Sequence, residues 1–596
     1  MIHEIKPHGP FHQGLLDDLN LFLFEQKLRF PKDETLKIDM HCHDYNSDVP
    51  DEILGRILNL PETWLSTKSL LKHLKKADCD VVTITNHNNA RSCFDLQEAG
   101  VDVLSGAEFS CTVPDFNIGI HVLVYGLNRE DEKTLRKLRR NLYTFLRYTN
   151  DNDLPTVWAH PLYHYSKNGK PPISFFKKMT VVFQRFEVLN GQRDTWQNLL
   201  IKSWLSELTP QIIDEYALEA NISPSLYCKN PYEKFMTGGS DSHMGFFAGL
   251  TGTYLHVPDL KNRLKQSKPS ELALEAIREG RMAPYGSHQN SEKLTIAFLD
   301  YVCQIALNSK DPGLLRILTH NGTSRDKIIA LLTSNAFAEL QKHKVTLGFV
   351  DVLHNSFIGK KANFGKRFLI PKDYKGVFDE AQKIAEASKN NPKESVDTYR
   401  KSIYSINEKL NNLLFKRFSK KVVELNVGNK IEKLGIAGIL QSIEIPSEIR
   451  SYIDKANGSK SSQLNGKDIS KFLDGLSFPF LGSAILLAAH YTSARVMYSV
   501  RPLLQEFSEQ LGKYEHPKRM LWMTDTFGDK NGVSTVLRSI LEEIKVMNLP
   551  IDILICNDKI KPEDHLIVIK TAAEFDIPMY DSQPLRIPNF LEIHEL

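Results

Sequence analysis

Residues 66–87, STKSLLKHLKKADCDVVTITNH, carry an amphipathic helical pattern directly into a β-rich run that ends in a histidine. Apolar residues recur at helical spacing in the first half, and the second half is a short strand-forming run. The alternation extends in both directions. KIDMH (37–41) precedes it, and VDVLSGAEFS (101–110), GIHVLVYGL (119–127), TVWAHP (156–161), VVFQRFEVLN (181–190) and FMTGGSDSH (235–243) follow. Seven such runs between Lys37 and about Pro258, interleaved with helical stretches, predict an α/β domain closed into a barrel.

The polar residues of these runs are not scattered. His41, His43, His87, Glu108, His160, Asn190 and Asp241 all lie where an apolar run ends, and strand C-termini carry the chemistry of βα-barrels. His121 departs from the pattern by preceding its apolar run. His41-Cys42-His43 places two imidazoles at i and i+2, on one face of a strand, as two ligands of one ion would sit. Alone such a pair is a weak signal. Its context is a set of further donors: Asp48, His87, Glu108, His121, His160, Asp241 and His243. Imidazole and carboxylate without thiolate suit Zn, Mn or Fe in a hydrolytic site better than a structural zinc.

The order H-x-H, S-D, T-x-H, G-x-E, a histidine before an apolar strand, A-H-P and G-S-D-x-H resembles the PHP family, named for polymerase and histidinol phosphatase. The resemblance covers about residues 37–285. It implies a distorted (β/α)7 barrel that binds up to three divalent metal ions (Zn, Mn or Fe) and hydrolyses phosphoesters, from phosphomonoesters to nucleotides. It further implies one ion held by His41, His43, Glu108 and Asp241, a second by His121 and His160 with Glu108 bridging, and a third by Asp48, His87 and His243. Glu108, Asp241 and His160 are then the expected catalytic residues, and a phosphorylated small molecule or nucleotide the expected substrate. Two ions that share a ligand activate water near neutral pH without a protein nucleophile. The family often has T-D-H where this chain has Thr85-Asn86-His87, and the asparagine removes a negative charge that would orient or polarise the histidine. Arg91 and Arg193 follow strand ends and suit a phosphate, but each reads first as a solvated surface arginine.

The barrel accounts for under half of 596 residues, a length that implies roughly three or four domains. After an N-terminal extension (1–36) and the barrel (37–286), the texture over 287–515 turns to long helical periodicities. DKIIALLTSNAFAELQKHK (326–344) and VDTYRKSIYSINEKLNNLLFKRFSKKVVEL (396–425) are examples, and a small, polar stretch at 456–468 reads as a loop. From about 516 a second α/β pattern begins. TDTFGDKNGVSTVL (524–537), a strand end, a Gly-bearing loop and a helix start, is similar to the opening of GT-B glycosyltransferases resembling the family-4 sugar transferases. That resemblance covers only about 80 residues. It implies a partial Rossmann-like lobe, without the second lobe that binds most of a nucleotide-sugar, and a possible protein partner at that lobe. The alternatives to a phosphoesterase are therefore a non-catalytic metal-stabilised scaffold that docks or regulates a glycosyltransferase, or a fragment of a bifunctional protein.

Composition excludes several classes. With 41% apolar and 25% charged residues the chain is globular rather than disordered. Lys plus Arg total 75 against 72 Asp plus Glu, so net charge supplies no general attraction to nucleic acid or membrane. The longest apolar run, 478–489, is too short to span a bilayer and contains Pro479, so a buried helix is expected there. Seven cysteines with no C-x-x-C, and a start without an apolar h-region, point to reduced thiols and a cytoplasmic location.

Overall fold

The computed structural model describes residues 10–47, 53–166, 169–286, 290–310, 312–342, 344–360, 372–390, 395–424, 466–529, 531–576 and 584–595. The helix that opens the deciding stretch spans Thr67–Lys76. Ser66 caps it by accepting the Ser69 N–H, Leu70 and Leu74 are its buried stripe, and Lys75 and Lys76 favour its negative C-terminal end.

Strand β1 (Thr35–Ile38) is followed by β2 (Thr83–Ile84), β3 (Leu104–Val113), β4 (Ile118–Tyr125), β5 (Thr156–Trp158), β6 (Tyr165–Ser166), β7 (Arg185–Asn190), β8 (Phe235–Gly239), β9 (Gly252–His256) and β10 (Met282–Tyr285). A seven-stranded sheet runs β2-β3-β4-β5-β7-β8, with β6 paired to β4, and a second sheet runs β1-β9-β10. Residues 38–43 join the two edges of the large sheet. Ile38 bridges Val81 beside β2, Cys42 bridges Ser242 just past β8, and the His43 N–H donates to the Ser242 carbonyl. This is a mixed α/β distorted barrel followed by a helical region. The distortion is β4, antiparallel to both β3 and β5, whereas β2-β3 and β5-β7-β8 are parallel. It explains His121, because in a reversed strand the residue before the apolar run lies beside the C-terminal ends of its neighbours.

Two strand-forming runs are longer than the strands they make, whereas β3 runs on to Val113, so that Glu108 lies inside its strand rather than at its end. Of CDVVTITNH only Thr83–Ile84 pairs regularly, flanked by single bridges at Val81 and His87, and Val181 and Val182 end a helix (Ile173–Val182) instead of starting β7. Alternation along the strands sorts the side chains. Phe109 and Val122 face an outer core against surrounding helices, while Leu104, Leu123, Tyr125 and Val157 fill the lower barrel interior. Further along the same inward-facing rows stand Glu108, four residues past Leu104, and His121, two before Leu123.

Helices Asn290–Asn308, Lys344–Phe357, Lys375–Asn390, Ser395–Glu424 and Gly466–Tyr498 surround a separate core that includes Phe349, Tyr374, Tyr399 and Ile403. The apolar run at 478–489 lies in the last of these, where Ile485, Leu486 and Ala489 are buried; among the described residues no helix is long and apolar enough to cross a membrane. Of the expected loop at 456–468, residues 456–465 lie outside the described residues and 466–468 are the first turn of that helix. Helix Arg501–Leu511 packs Leu503, Leu504 and Phe507 onto the outer core of the barrel. The C-terminal part is a parallel sheet of β11 (Met520–Thr524), β12 (Ile551–Cys556) and β13 (Leu566–Ile569), in that order, with helix Gly532–Met547 crossing between β11 and β12. A separate antiparallel pair is formed by β14 (Thr571–Asp576) and β15 (Pro584–Pro588). Parallel strands joined by a crossing helix are the local topology of a Rossmann-like arrangement. At its edge Met520, Leu521, Trp522 and Met523 are all exposed, although parallel strands are ordinarily covered on both faces.

Candidate metal centre

Eight of the nine expected ligands converge at one end of the barrel; the ninth, Asp48, lies outside the described residues. Glu108 is at their centre. Its Oε2 is 3.1 Å from His41 Nε2 and 3.3 Å from His43 Nε2, and Asp241 Oδ1 closes the set at 3.5 and 3.6 Å from the same two nitrogens. Its Oε1 is 2.8 Å from His121 Nδ1 and 3.3 Å from His160 Nε2, which are 3.3 Å from each other. A carboxylate with each oxygen facing a different group of imidazoles has the geometry of a bridge.

The third group differs from the sequence-based expectation by an added member. Glu62 Oε1 lies 2.9 Å from His87 Nε2 and 3.4 Å from His243 Nε2, and the His43 ring stacks on His243 with centroids 4.4 Å apart. Glu62 sits in Leu60-Pro61-Glu62-Thr63, ahead of a helix and away from any strand end, so the strand-end criterion passed over it. Its neighbour Thr63 donates its hydroxyl to the His243 carbonyl, tying the two loops together.

These donors fit a divalent cation. Imidazole and carboxylate ligands at about 2.1 Å from a tetrahedral ion stand about 3.4 Å from one another, the spacing of the first group. Nε2 of His41 and of His43 is buried, close to carboxylate oxygens, yet makes no hydrogen bond of acceptable geometry. Atoms placed to share an ion rather than a proton look like this. Burial would raise the Glu108 pKa, but His41, His121 and His87 outweigh it and hold the carboxyl well below its ordinary range. Burial also brings His160 down to about 4, which leaves its imidazole in the neutral, ligating form at pH 7.

A second layer orients the donors. His41 Nδ1 is 2.9 Å from Glu187 Oε1, and Glu187 Oε2 accepts the His160 N–H and the Asn190 amide, each at 2.9 Å. Glu187 was missed as a candidate, although a lone carboxylate in the apolar run VVFQRFEVLN was a signal that it has buried partners. Asp39 fixes the backbone by accepting from the N–H of His41, Ser240 and Gly249. A side chain at Gly239 would collide with His41 and Glu187, so glycine permits the close approach of β8. His160 (φ 29°) and Asp241 (φ 52°) occupy left-handed backbone conformations, a local strain that the surrounding bonds must offset.

The Asn86 side chain bonds to Asp44. Its amide donates to Asp44 Oδ1 at 2.7 Å and its carbonyl oxygen accepts the Asp44 N–H at 2.8 Å. With Asp44 buried opposite, a carboxylate at position 86 would meet another carboxylate, so asparagine is the residue this pair requires. Arg91 is exposed, as expected. Arg193 is not: it is buried, has its guanidinium carbon over Tyr163 at 4.1 Å from the ring centroid and has Nη2 3.5 Å from Asp241 Oδ2. Solvent reaches the centre past His243, whose side chain is 24% exposed, and Glu62, at 13%; the other donors are nearly inaccessible.

No protein-family model and no curated protein matches the chain. Among solved structures the chain is similar to an amidohydrolase from Chromobacterium violaceum solved with bound sulfate and no metal. It is 13% identical, with 40% of this chain and 96% of that one covered, at a TM-score of 0.21. Another similar structure is a protein from Bifidobacterium adolescentis described as a metal-dependent phosphoesterase, 11% identical over 39% of this chain and 96% of that one, at a TM-score of 0.20. At these scores neither likeness bears on function.

Proposed function

We propose that the barrel is a metal-dependent phosphoesterase that hydrolyses a phosphomonoester or nucleotide-type substrate. One observation carries the reading: the two oxygens of Glu108 face two separate sets of histidine donors, His41 and His43 on one side and His121 and His160 on the other. Divalent ions that share a carboxylate in this way supply Lewis acidity and water activation near neutral pH. The chain's own residues do the rest. Glu108 and Asp241 contribute negative charge that holds cations in a buried pocket, and neutral His160 completes the second set. Glu187 fixes the ring of His41 and the backbone of His160. Glu62 with His87 and His243 forms a third set at the solvent side, where a phosphoryl group would enter. Arg193 keeps a permanent guanidinium charge beside Asp241.

Hydrolysis by water is favoured over a protein nucleophile. Cys42, between the two ligating histidines, turns its thiol toward the Thr83 carbonyl at 3.3 Å, and burial raises its pKa well above the ordinary value. The test is a screen of phosphomonoesters and nucleotides with protein reloaded with Mn or Zn after chelation. Turnover should return with metal and disappear with chelator. Metal uptake with no hydrolysis of any phosphoester would instead favour a non-catalytic scaffold.

A further inference from the structure

We infer that the helical region positions a ligand of the candidate metal centre: Phe357 and Tyr399 are positioning residues for His243, acting through the connection between β8 and β9. The inference rests on reading the His43, Glu62, His87 and His243 group as a cation site. Residues 240–251 have no regular structure, yet contain both Asp241 and His243. Such a segment holds a ligand in place only where it is itself anchored.

Its anchors alternate between two bodies. On the barrel side, Gly245 (φ +89°) turns so closely that a side chain there would press on His73 and Leu65, and its N–H donates to Ser242 Oγ. Gly249 (φ +78°) donates its N–H to Asp39. Between the two glycines the chain turns outward, and Phe246 and Phe247 enter the core of the helical region. The Phe246 ring lies 6.0 Å from that of Phe357, and Phe247 meets Tyr399 edge to face at 5.8 Å. Both partners come from helices more than a hundred residues further along the chain, Lys344–Phe357 and Ser395–Glu424. Only Met244 and Gly245 separate His243 from Phe246, so a loosened phenyl anchor is transmitted to His243. Asp241 is also bound from the barrel side, through Asn190 and Arg193. The first two ligand groups therefore do not depend on the helical anchor.

The test uses the metal-stripped full chain titrated with Co2+ and followed by its visible absorption. Wild type should take up three equivalents. Phe357→Ala and Tyr399→Ala should retain the first two at unchanged affinity and bind the third roughly 10–100-fold more weakly, the usual effect of removing a group that orients a ligand. Phe357→Leu, which keeps most of the volume, should weaken the third by less and serves if the alanine variants do not fold. By reciprocity, the third equivalent alone should increase amide protection in helix Lys344–Phe357. Unchanged third-site affinity in the variants, or equal weakening of all three sites, overturns the inference and leaves the proposed function standing; so does a wild type that binds only two ions. A wild type that binds no Co2+ overturns both.

Discussion

Substituting Glu108→Gln preserves volume and removes one negative charge from the middle of the centre. A carboxylate offers both oxygens as ligands, whereas an amide offers one oxygen and a nitrogen that only donates. One of the two sets that Glu108 faces must therefore lose its ligand. Oε2 lies 3.1–3.4 Å from nitrogens of His41, His43 and His87, and Oε1 2.8–3.3 Å from those of His121 and His160. Opposite unit charges about 4 Å apart are worth about 4 kcal/mol at an effective dielectric of 20, which is roughly a thousandfold in affinity for the ion that loses its oxygen. Asp241 and Glu62 remain, so the other ions should stay bound. The assay is metal content after dialysis against a buffered metal series, with phosphoester turnover measured on the same samples. One equivalent should be lost and turnover should fall roughly a thousandfold, while circular dichroism stays that of the wild type. Retention of every equivalent at unchanged affinity, with wild-type rates, would refute the bridging role and with it the two-ion mechanism.

Other outcomes can be checked independently. Glu62→Gln should weaken only the third equivalent in a Co2+ titration, by roughly 10–100-fold, because its Oε1 faces His87 and His243 while its Oε2 accepts the Ser47 hydroxyl; weakening of the first two would place Glu62 elsewhere. Asn86→Asp should destabilise the fold by about 1–3 kcal/mol in urea unfolding by leaving two buried carboxylates opposed, and Asp44→Asn in the same chain should restore most of it; an unaffected single variant would contradict the pairing. Burial lowers the Lys234 pKa to about 8 from 10.5, its ammonium donating to the carbonyls of Thr180 and Phe183. Between these values the unfolded chain binds more protons, so this lysine makes stability rise with pH across the window, by about 3 kcal/mol in all. Lys234→Met should flatten that slope in unfolding measured from pH 8 to 10, and an identical slope would exclude the effect. Calorimetry of the full chain against common nucleotide-sugars should show no tight binding, since a ligand of that fold class lies between two lobes and only part of one is described; sub-micromolar affinity would mean that the C-terminal lobe has been misread.

The sequence by itself determined the features that depend on local periodicity and residue type. Alternating helical and β-rich runs marked the barrel, and donors where those runs stop marked His41, His43, His87, Glu108, His160, Asp241 and His243, although Glu108 lies inside β3, which continues to Val113. Glu62 and Glu187 escaped for opposite reasons. Glu62 sits in a loop whose path is set by contacts far along the chain, and Glu187 lies inside a strand, where only its neighbours across the barrel show that it orients His41. The reversal of β4, which brings His121 into line with the others, is likewise a matter of strand pairing rather than of strand propensity. Arg193 and Asn86 read differently alone than in place, since solvent exposure and an opposing Asp44 are properties of the packed chain. Tertiary structure alone also carried Phe246 and Phe247 into a core built from helices a hundred residues away. Side-chain chemistry is written residue by residue, but burial and partnership arise only when distant segments share one space.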